Sequence, residues 1–433
     1  MATLPSYPVH WDHKTVLAAV ETAFGEGAAS LAGVDAVRLW DVTWTPLEAD
    51  TKELPYVKPF NGANASILLN KRSKLSAKVA LVGAGTGGTG IPCWDRFIRA
   101  GGAVRAQVAA TPAATIAATA TKTSGDGAFT YARTTMFGGV LPRIATLTCT
   151  TGGGSGVAAF TVSAPAAGDQ PAYNQTGVVM TTASPFVLPG GAVITPDAIG
   201  TPFGAGDIFT IALTPAGCTY TPSSDRARHK SLEMVLTLPD PEDADQVQLW
   251  RMLGGHCAIK ATGASDDYPY YEVEVTADYA APALDVEIEP VYTDWPDPLV
   301  VSTENTPVAQ LFGHDVVLES FGWDAGNTVE YVTRVGRKGA RIQDAKAMFS
   351  AKIEAPSMSS VDFFALCTSR AYGTFLLQHG SAAGEAVVLR TDRWQLDPPK
   401  PGESKKDFMF DLSGKAVPTT EGTDWSIFAS AAA

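Results

Sequence analysis

Three groups of residues have types and spacings that could do chemistry. The first is Gly83-Ala84-Gly85-Thr86-Gly87-Gly88, which follows the apolar run Val79-Ala80-Leu81-Val82 and fits the G-x-G-x-x-G spacing of dinucleotide-binding turns. In such turns the glycines open a helix whose N-terminus meets a pyrophosphate. Here Thr89-Gly90-Ile91-Pro92 intervenes, so a helix can begin only at Pro92, and residues 103–110 carry no acid to hold a ribose. A flexible loop after an edge strand is expected instead, with no cofactor. The second group is the histidines, His10, His13, His229, His256, His314 and His379. None forms H-x-x-x-H or H-E-x-x-H, so no metal site is expected. No G-x-S-x-G elbow supports a nucleophilic serine. Five cysteines, an odd number without a C-x-x-C pair, argue against a disulfide framework or zinc and for reduced thiols.

The third group is acidic. Asp240, Glu242, Asp243 and Asp245 cluster, as do Asp266 and Asp267, and then Asp285, Glu287 and Glu289. No D-x-D-x-D-G loop marks calcium. Residues 272–278 and 284–289 alternate apolar and acidic positions, which predicts strands with one core face and one carboxylate face. An acidic sheet face lining a channel would repel nucleic acid and let it slide. The net charge of −13 argues likewise against a protein that grips phosphates.

The elements that must position these groups are mainly strands. Gly 41 and Pro 29 favour many turns over long helices. Short helices are expected at residues 12–24 (Asp12 as N-cap, Gly25 past the end), 92–100, 244–253 and 361–366. Residues 101–220 hold only four basic and four acidic residues, so this block is neutral and the whole net charge lies outside it. Within it, residues 144–150 and 157–162 flank a Gly-rich turn and predict a hairpin, and residues 186–191 and 207–213 continue the pattern of a small sandwich. The first eight residues lack the features of a secretion signal, and no run of 18 apolar residues predicts a spanning helix. Asn64 and Asn174 sit in glycosylation-type triplets that are expected to be incidental.

A repeat is visible. Leu75-Ser76-Ala77-Lys78-Val79 matches Phe349-Ser350-Ala351-Lys352-Ile353, each follows a Tyr-Val pair (Tyr56-Val57, Tyr331-Val332), and each precedes an expected helix. With residues 61–67, the Gly83 to Gly90 loop, Pro92-Cys93-Trp94, residues 97–101 and the closing stretches 407–412 and 425–428, the chain outside the low-charge block resembles the major tail tube proteins of long-tailed, non-contractile bacteriophages. The resemblance implies a structural virion protein and no enzyme. The expected architecture is mainly β (α+β): two tandem tail-tube-like units, each with a short helix, plus an inserted Ig-like sandwich. The boundaries would be 1–100 with 223–290 for the first unit, 101–222 for the outward-facing insert, and 291–433 for the second unit.

The resemblance further implies sheets that join edge to edge into rings, and rings that stack into a hollow tube in the virion tail, assembled in the host cytoplasm. Partners would be the chain itself (trimeric with pseudo-six-fold symmetry, or hexameric) and the tape-measure, tail terminator and baseplate proteins. DNA would pass through without specific binding, and no membrane is involved. Glu272, Glu274, Asp285, Glu287 and Glu289 are expected to face the lumen. Gly83, Gly85, Gly87, Gly88 and Gly90 are expected to contact neighbouring subunits or rings. The alternative is another virion protein, of the capsid or decoration type, or a surface adhesin with a glycan-binding sandwich.

Overall fold

Alternating apolar and polar residues put most of this chain into strands in the computed structural model, which describes residues 11–60, 62–85, 89–243 and 245–432. First come strands β1 (Thr15–Val20), β2 (Trp40–Glu53) and β3 (Ser66–Ala80), helix α1 (Asp95–Ala100) and β4 (Ala103–Val108). The low-charge block follows with α2 (Pro112–Thr115), β5 (Thr121–Ser124), β6 (Ala128–Thr135), β7 (Arg143–Thr151), β8 (Ala159–Ala164), β9 (Tyr173–Val179), β10 (Phe186–Val187), β11 (Val193–Thr201) and β12 (Ile208–Leu213). The chain then continues through β13 (Gly217–Pro222), β14 (Leu232–Pro239), β15 (Gln246–Ala264), β16 (Tyr270–Tyr279), β17 (Ala283–Val286), β18 (Val308–Leu311) and β19 (His314–Asp315). Next are β20 (Leu318–Asp324), β21 (Asn327–Arg334), β22 (Arg337–Ala345), β23 (Met348–Glu354) and α3 (Phe363–Thr368). The last strands are β24 (Tyr372–His379), β25 (Val387–Leu396), β26 (Lys400–Ser404), β27 (Asp407–Ala416) and β28 (Ser426–Ser430). The fold is mainly β.

Two layers enclose the main core. One is the antiparallel series β2-β3-β16-β15-β20-β23-β27-β26. The other is β18-β24-β25-β28-β13-β4. β14 and β1 extend from the first half of β15. Between the layers lie Trp94, Phe97, Ile259, Tyr271, Trp323, Phe349 and Ile427, all buried in one cluster. Each such side chain removed from water contributes about 1.5–3 kcal/mol. The expected break between residues 290 and 291 is therefore not a break in sheet or core, because β15 pairs directly with β20 and the cluster draws on both halves.

Helix α1 forms where Pro92 sets a turn, with the Asp95 amide bonded to the Pro92 carbonyl, and it ends at Gly101. Its Asp95 carboxylate binds Arg99 at 3.3 Å, Arg105 at 3.0 Å and the Tyr220 hydroxyl at 2.7 Å, which fastens the helix to β4 and β13. Helix α3 begins at the N-cap Asp362, whose side chain accepts from the amides of Phe364 and Ala365.

Two expected helices are strands instead. Residues 12–24 give a single 3-10 turn at Trp11–His13 and then β1, in which Val16, Leu17 and Ala18 are all buried. Val16 and Ala18 face the main core while Leu17 packs with Ala36 and Val235, so both faces are covered and the apolar run loses its alternation. Residues 246–253 belong to the long β15, paired along one edge with β14 and, over residues 246–249, along the other with β17 (Ala244 lies outside the described residues).

The low-charge block has its own two sheets, β5-β12-β7-β8-β9 and β10-β11-β6, with β7 and β8 forming the expected hairpin. Phe129 of the smaller sheet meets Phe209 of the larger edge to face at 5.3 Å, so the sheets pack on each other. Because residues 103–108 and 217–222 form β4 and β13 of the main body, the 101–222 boundary moves inward and the inserted elements span 112–213. The insert rests on the outer side of the second layer: its Val140 clusters with Val388 and Phe428, whose neighbours Val387, Leu389, Ile427 and Ala429 point the other way into the main core.

The β21–β22 hairpin folds over the first half of the chain. Buried Asn327 fixes it there, accepting from the Ile259 amide at 3.2 Å and donating to the carbonyls of Gly101 (3.2 Å) and Cys257.

Candidate assembly surface

The matching Ser-Ala-Lys segments occupy equivalent places. Lys78 on β3 stands opposite Glu272 on β16, which stands opposite Lys260 on β15. Lys352 on β23 stands opposite Asp411 on β27, which stands opposite Lys400 on β26. Each central lysine also binds a carboxylate on its other side, Lys78 to Asp41 at 2.7 Å and Lys352 to Glu319 at 3.0 Å. Behind each segment a tryptophan opposes the leading apolar residue, Trp44 against Leu75 and Trp323 against Phe349. Each tryptophan packs edge on against another, Trp250 at 5.0 Å and Trp425 at 4.7 Å. Thus β2-β3-β16-β15 and β20-β23-β27-β26 are two renderings of one four-strand unit. The Tyr-Val pairs do not share this equivalence: Tyr56 and Val57 lie in the exposed connection between β2 and β3, whereas Tyr331 and Val332 lie in β21.

The two units meet edge to edge. Residues 260–264 of β15 pair with residues 320–324 of β20, and Lys260 binds Asp324 at 3.1 Å. Among the described residues the corresponding edges are free at the far ends, since there β2 pairs only with β3 and β26 only with β27. Both carry a proline, Pro46 and Pro401, a residue that sheets admit at their edges.

Glu272 and Glu274 lie on the exposed face of this layer, as the alternation implied. That face is not an acidic strip. Lysines flank Glu272 on both neighbouring strands, and opposite charges directly across from each other attract. Between the charged rows the face is small and polar: Ser76 and Ala258 beside Glu274, then Thr262, Gly322, Ser350 and Ser413 in one row. A groove of ≈ 440 Å³ runs here, lined by Thr262, Gly322, Ser350, Lys352, Lys400 and Asp411. The Ser404 hydroxyl and Lys352 both bond Glu319 and hold its carboxyl below the ordinary range, and the bond to Asp41 raises Lys78. Sequence reading missed the lysines because it followed the acids alone, although Lys78 and Lys352 were the signal inside the repeated segments.

Asp285, Glu287 and Glu289 do not join that face. β17 pairs with residues 246–249, the opposite end of β15 from Lys260, and stops at Val286. All four of its residues are exposed, including Leu284 at 60% and Val286 at 70%, so it has no core face.

The glycine loop also differs from expectation. Gly87 and Gly88 lie outside the described residues. Gly83 is buried, and a Cβ there would stand 2.2 Å from the Gly384 carbonyl oxygen. Gly85 donates to the same Gly384 carbonyl at 2.8 Å, and Gly90 lies against Ala431. Gly83 permits close approach of two backbones within the chain, while Gly85 and Gly90 are half-buried. The preceding strand β3 is not an edge, being paired on both sides.

Among the described residues no three His, Cys, Asp or Glu side chains converge as a metal site, and no helix is long and apolar enough to cross a membrane. Burial pushes the Cys93 and Cys218 thiols up to about 11. Neither the protein-family models nor the curated proteins give a match to this chain.

Proposed function

We propose that this chain is the repeating subunit of a hollow tube, the tail tube of a virion, built from rings of edge-paired sheets. The observation that carries the proposal is the joint between β15 and β20, where two copies of one unit are already paired edge to edge in one chain. Repeating that joint between chains pairs β26 of one copy with β2 of the next and removes both free edges. Such a joint is heterologous and closes into a ring when its rotation permits. With two units per chain, three chains would give a pseudo-six-fold ring.

Two further observations support the reading. The groove face, with paired charges and small side chains, has no excess of cations to hold phosphates, so it suits a lumen through which DNA passes. The insert rests on the opposite layer, which would put it outside the tube. The β2–β3 connection exposes Tyr56, Val57 and Phe60, an apolar group of the kind that marks an interface. Tape-measure, terminator and baseplate proteins are the partners this role requires. The role involves no catalysis.

The test is negative-stain electron microscopy over a concentration series, for the wild type and for Glu403→Pro on the β26 edge. Rings or tubes are expected from the wild type, and folded monomers from the variant. Monomers from the wild type at every concentration, with binding to cell envelopes, would replace this reading with that of an adhesin.

A further inference from the structure

One cleft stands apart electrostatically from the rest of this acidic chain. It has a volume of ≈ 450 Å³ and lies between residues 223–231 and the β21–β22 hairpin, lined by Phe24, Arg226, His229, Lys230, Arg337 and Arg341 among others. Among the described residues none of Arg226, Lys230, Arg337 and Arg341 has an ion-pair partner; Lys338 reaches Asp278 at 3.8 Å. Glu21, the one carboxylate in the lining, is occupied by the amides of Gly25 (2.9 Å) and Gly254 (2.8 Å). Arg334 and Arg337 stand directly opposite each other at the hairpin end, an unfavourable placement of like charges. The Arg337 charge, then desolvation, then the charges of Arg334 and Arg226 hold Arg341 below its ordinary value. Such a cleft calls for an anionic occupant.

The chain supplies one, at the wrong end for itself. β14 begins at Leu232 beside the cleft and ends at Pro239, where an acidic turn presents Asp240, Glu242, Asp243 and Asp245. β17 adds Asp285 beside that turn, opposite Val247. Eight strand residues separate the two ends by about 25 Å, so a turn cannot reach its own cleft. A second copy displaced along the β14 axis brings its acidic turn to the cleft, and the contact leaves the same two surfaces free at the ends of the pair. We propose that the basic cleft receives Asp240, Glu242, Asp243 and Asp245 of a second copy, so that chains stack head to tail along β14. This deepens the tube reading by adding the axial contact to the lateral one, and it gives Asp285 a place at the stacking end.

Zero-length carbodiimide cross-linking tests it directly, with a mixture of isotopically light and heavy protein at the concentration used for microscopy. Cross-links between copies are expected from Glu242, Asp243 or Asp245 to Lys230 or Lys338, and their absence overturns the proposal. Charge reversal is the second arm. The doubly changed Arg337→Glu, Arg341→Glu protein, and separately Glu242→Lys, Asp243→Lys, are each expected to need more than about tenfold higher concentration to stack. Mixing the two is expected to restore stacking, since each then offers the other a complementary surface; misfolded variants would not be rescued. Undiminished stacking of either variant alone also overturns the proposal. Wild-type rings without these cross-links defeat the axial contact only, whereas cross-linked stacks without rings defeat the lateral joint only.

Discussion

The buried histidines tie this fold to pH. Burial lowers both His256 and His379 from the ordinary 6.5, and for His256 it outweighs the Ala100 carbonyl, 3.1 Å from Nδ1, which acts in the other direction. In the unfolded chain both would take up a proton near pH 6.5, so below that value the unfolded state binds more protons. Their contribution is complete above pH 6.5 and is lost as pH falls toward their folded values. Thermal melts are expected to hold steady above neutrality and to drop as pH decreases below 6.5. The drop should be smaller in His256→Gln; equal slopes for the two proteins would refute the assignment. Burial raises the Asp424 carboxyl and works in the opposite direction, which is why the comparison with the variant is the measurement. At this scale the sequence was a partial guide. The lysines of the repeated segments stood in plain view, but which acids they meet depends on strand register across 194 positions for Lys78 and Glu272 and only 59 for Lys352 and Asp411.

Elements were legible where one face is buried and opaque where both are. The strand at Tyr270–Tyr279 shows its alternation, and so do β7 and β8. β1 does not, because neighbours cover both of its faces and a continuous apolar run carries no period of two; in the first part of β15 Leu249 and Trp250 pack on opposite faces beside an exposed Arg251, so its apolar residues show no clean alternation either. β17 misleads in the opposite way: its alternating pattern is that of a half-buried strand, yet Leu284 and Val286 are exposed. The placement of the β21–β22 hairpin rests heavily on Asn327. Replacing it with leucine would strand the Ile259 amide and the Cys257 carbonyl in the core. Asn327→Leu is expected to lower stability by about 2–3 kcal/mol, read as a shift in urea midpoint. A shift near zero would mean that apolar packing alone holds the hairpin.

For the whole molecule, the division into body and insert follows from charge composition, but its limits do not. β4 and β13 are apolar and lightly charged like the insert, and only their pairing assigns them to the body. That pairing places Val108 directly opposite Gly217, so both ends of the insert leave the body side by side. Excising residues 109–216 and closing the gap with Asn-Gly should leave a folded body with a β4–β13 hairpin. The excised segment, which has its own buried cluster, should fold alone. Cooperative thermal unfolding of both pieces is the expected outcome, and a molten body would show that the Val140, Val388 and Phe428 contact is structural support.

The covalent link between the two repeated units changes the kinetics of any closed assembly they form. One joint, β15 to β20, is made during folding, at the effective concentration set by the connecting chain. A closed ring of such chains therefore makes half as many joints between chains as one of single units, and its equilibrium concentration depends on half the power of subunit concentration. Such rings would nucleate at lower concentrations than rings of unlinked units. The in-chain and between-chain joints are also separate sequences, so either can drift in strength without weakening the other.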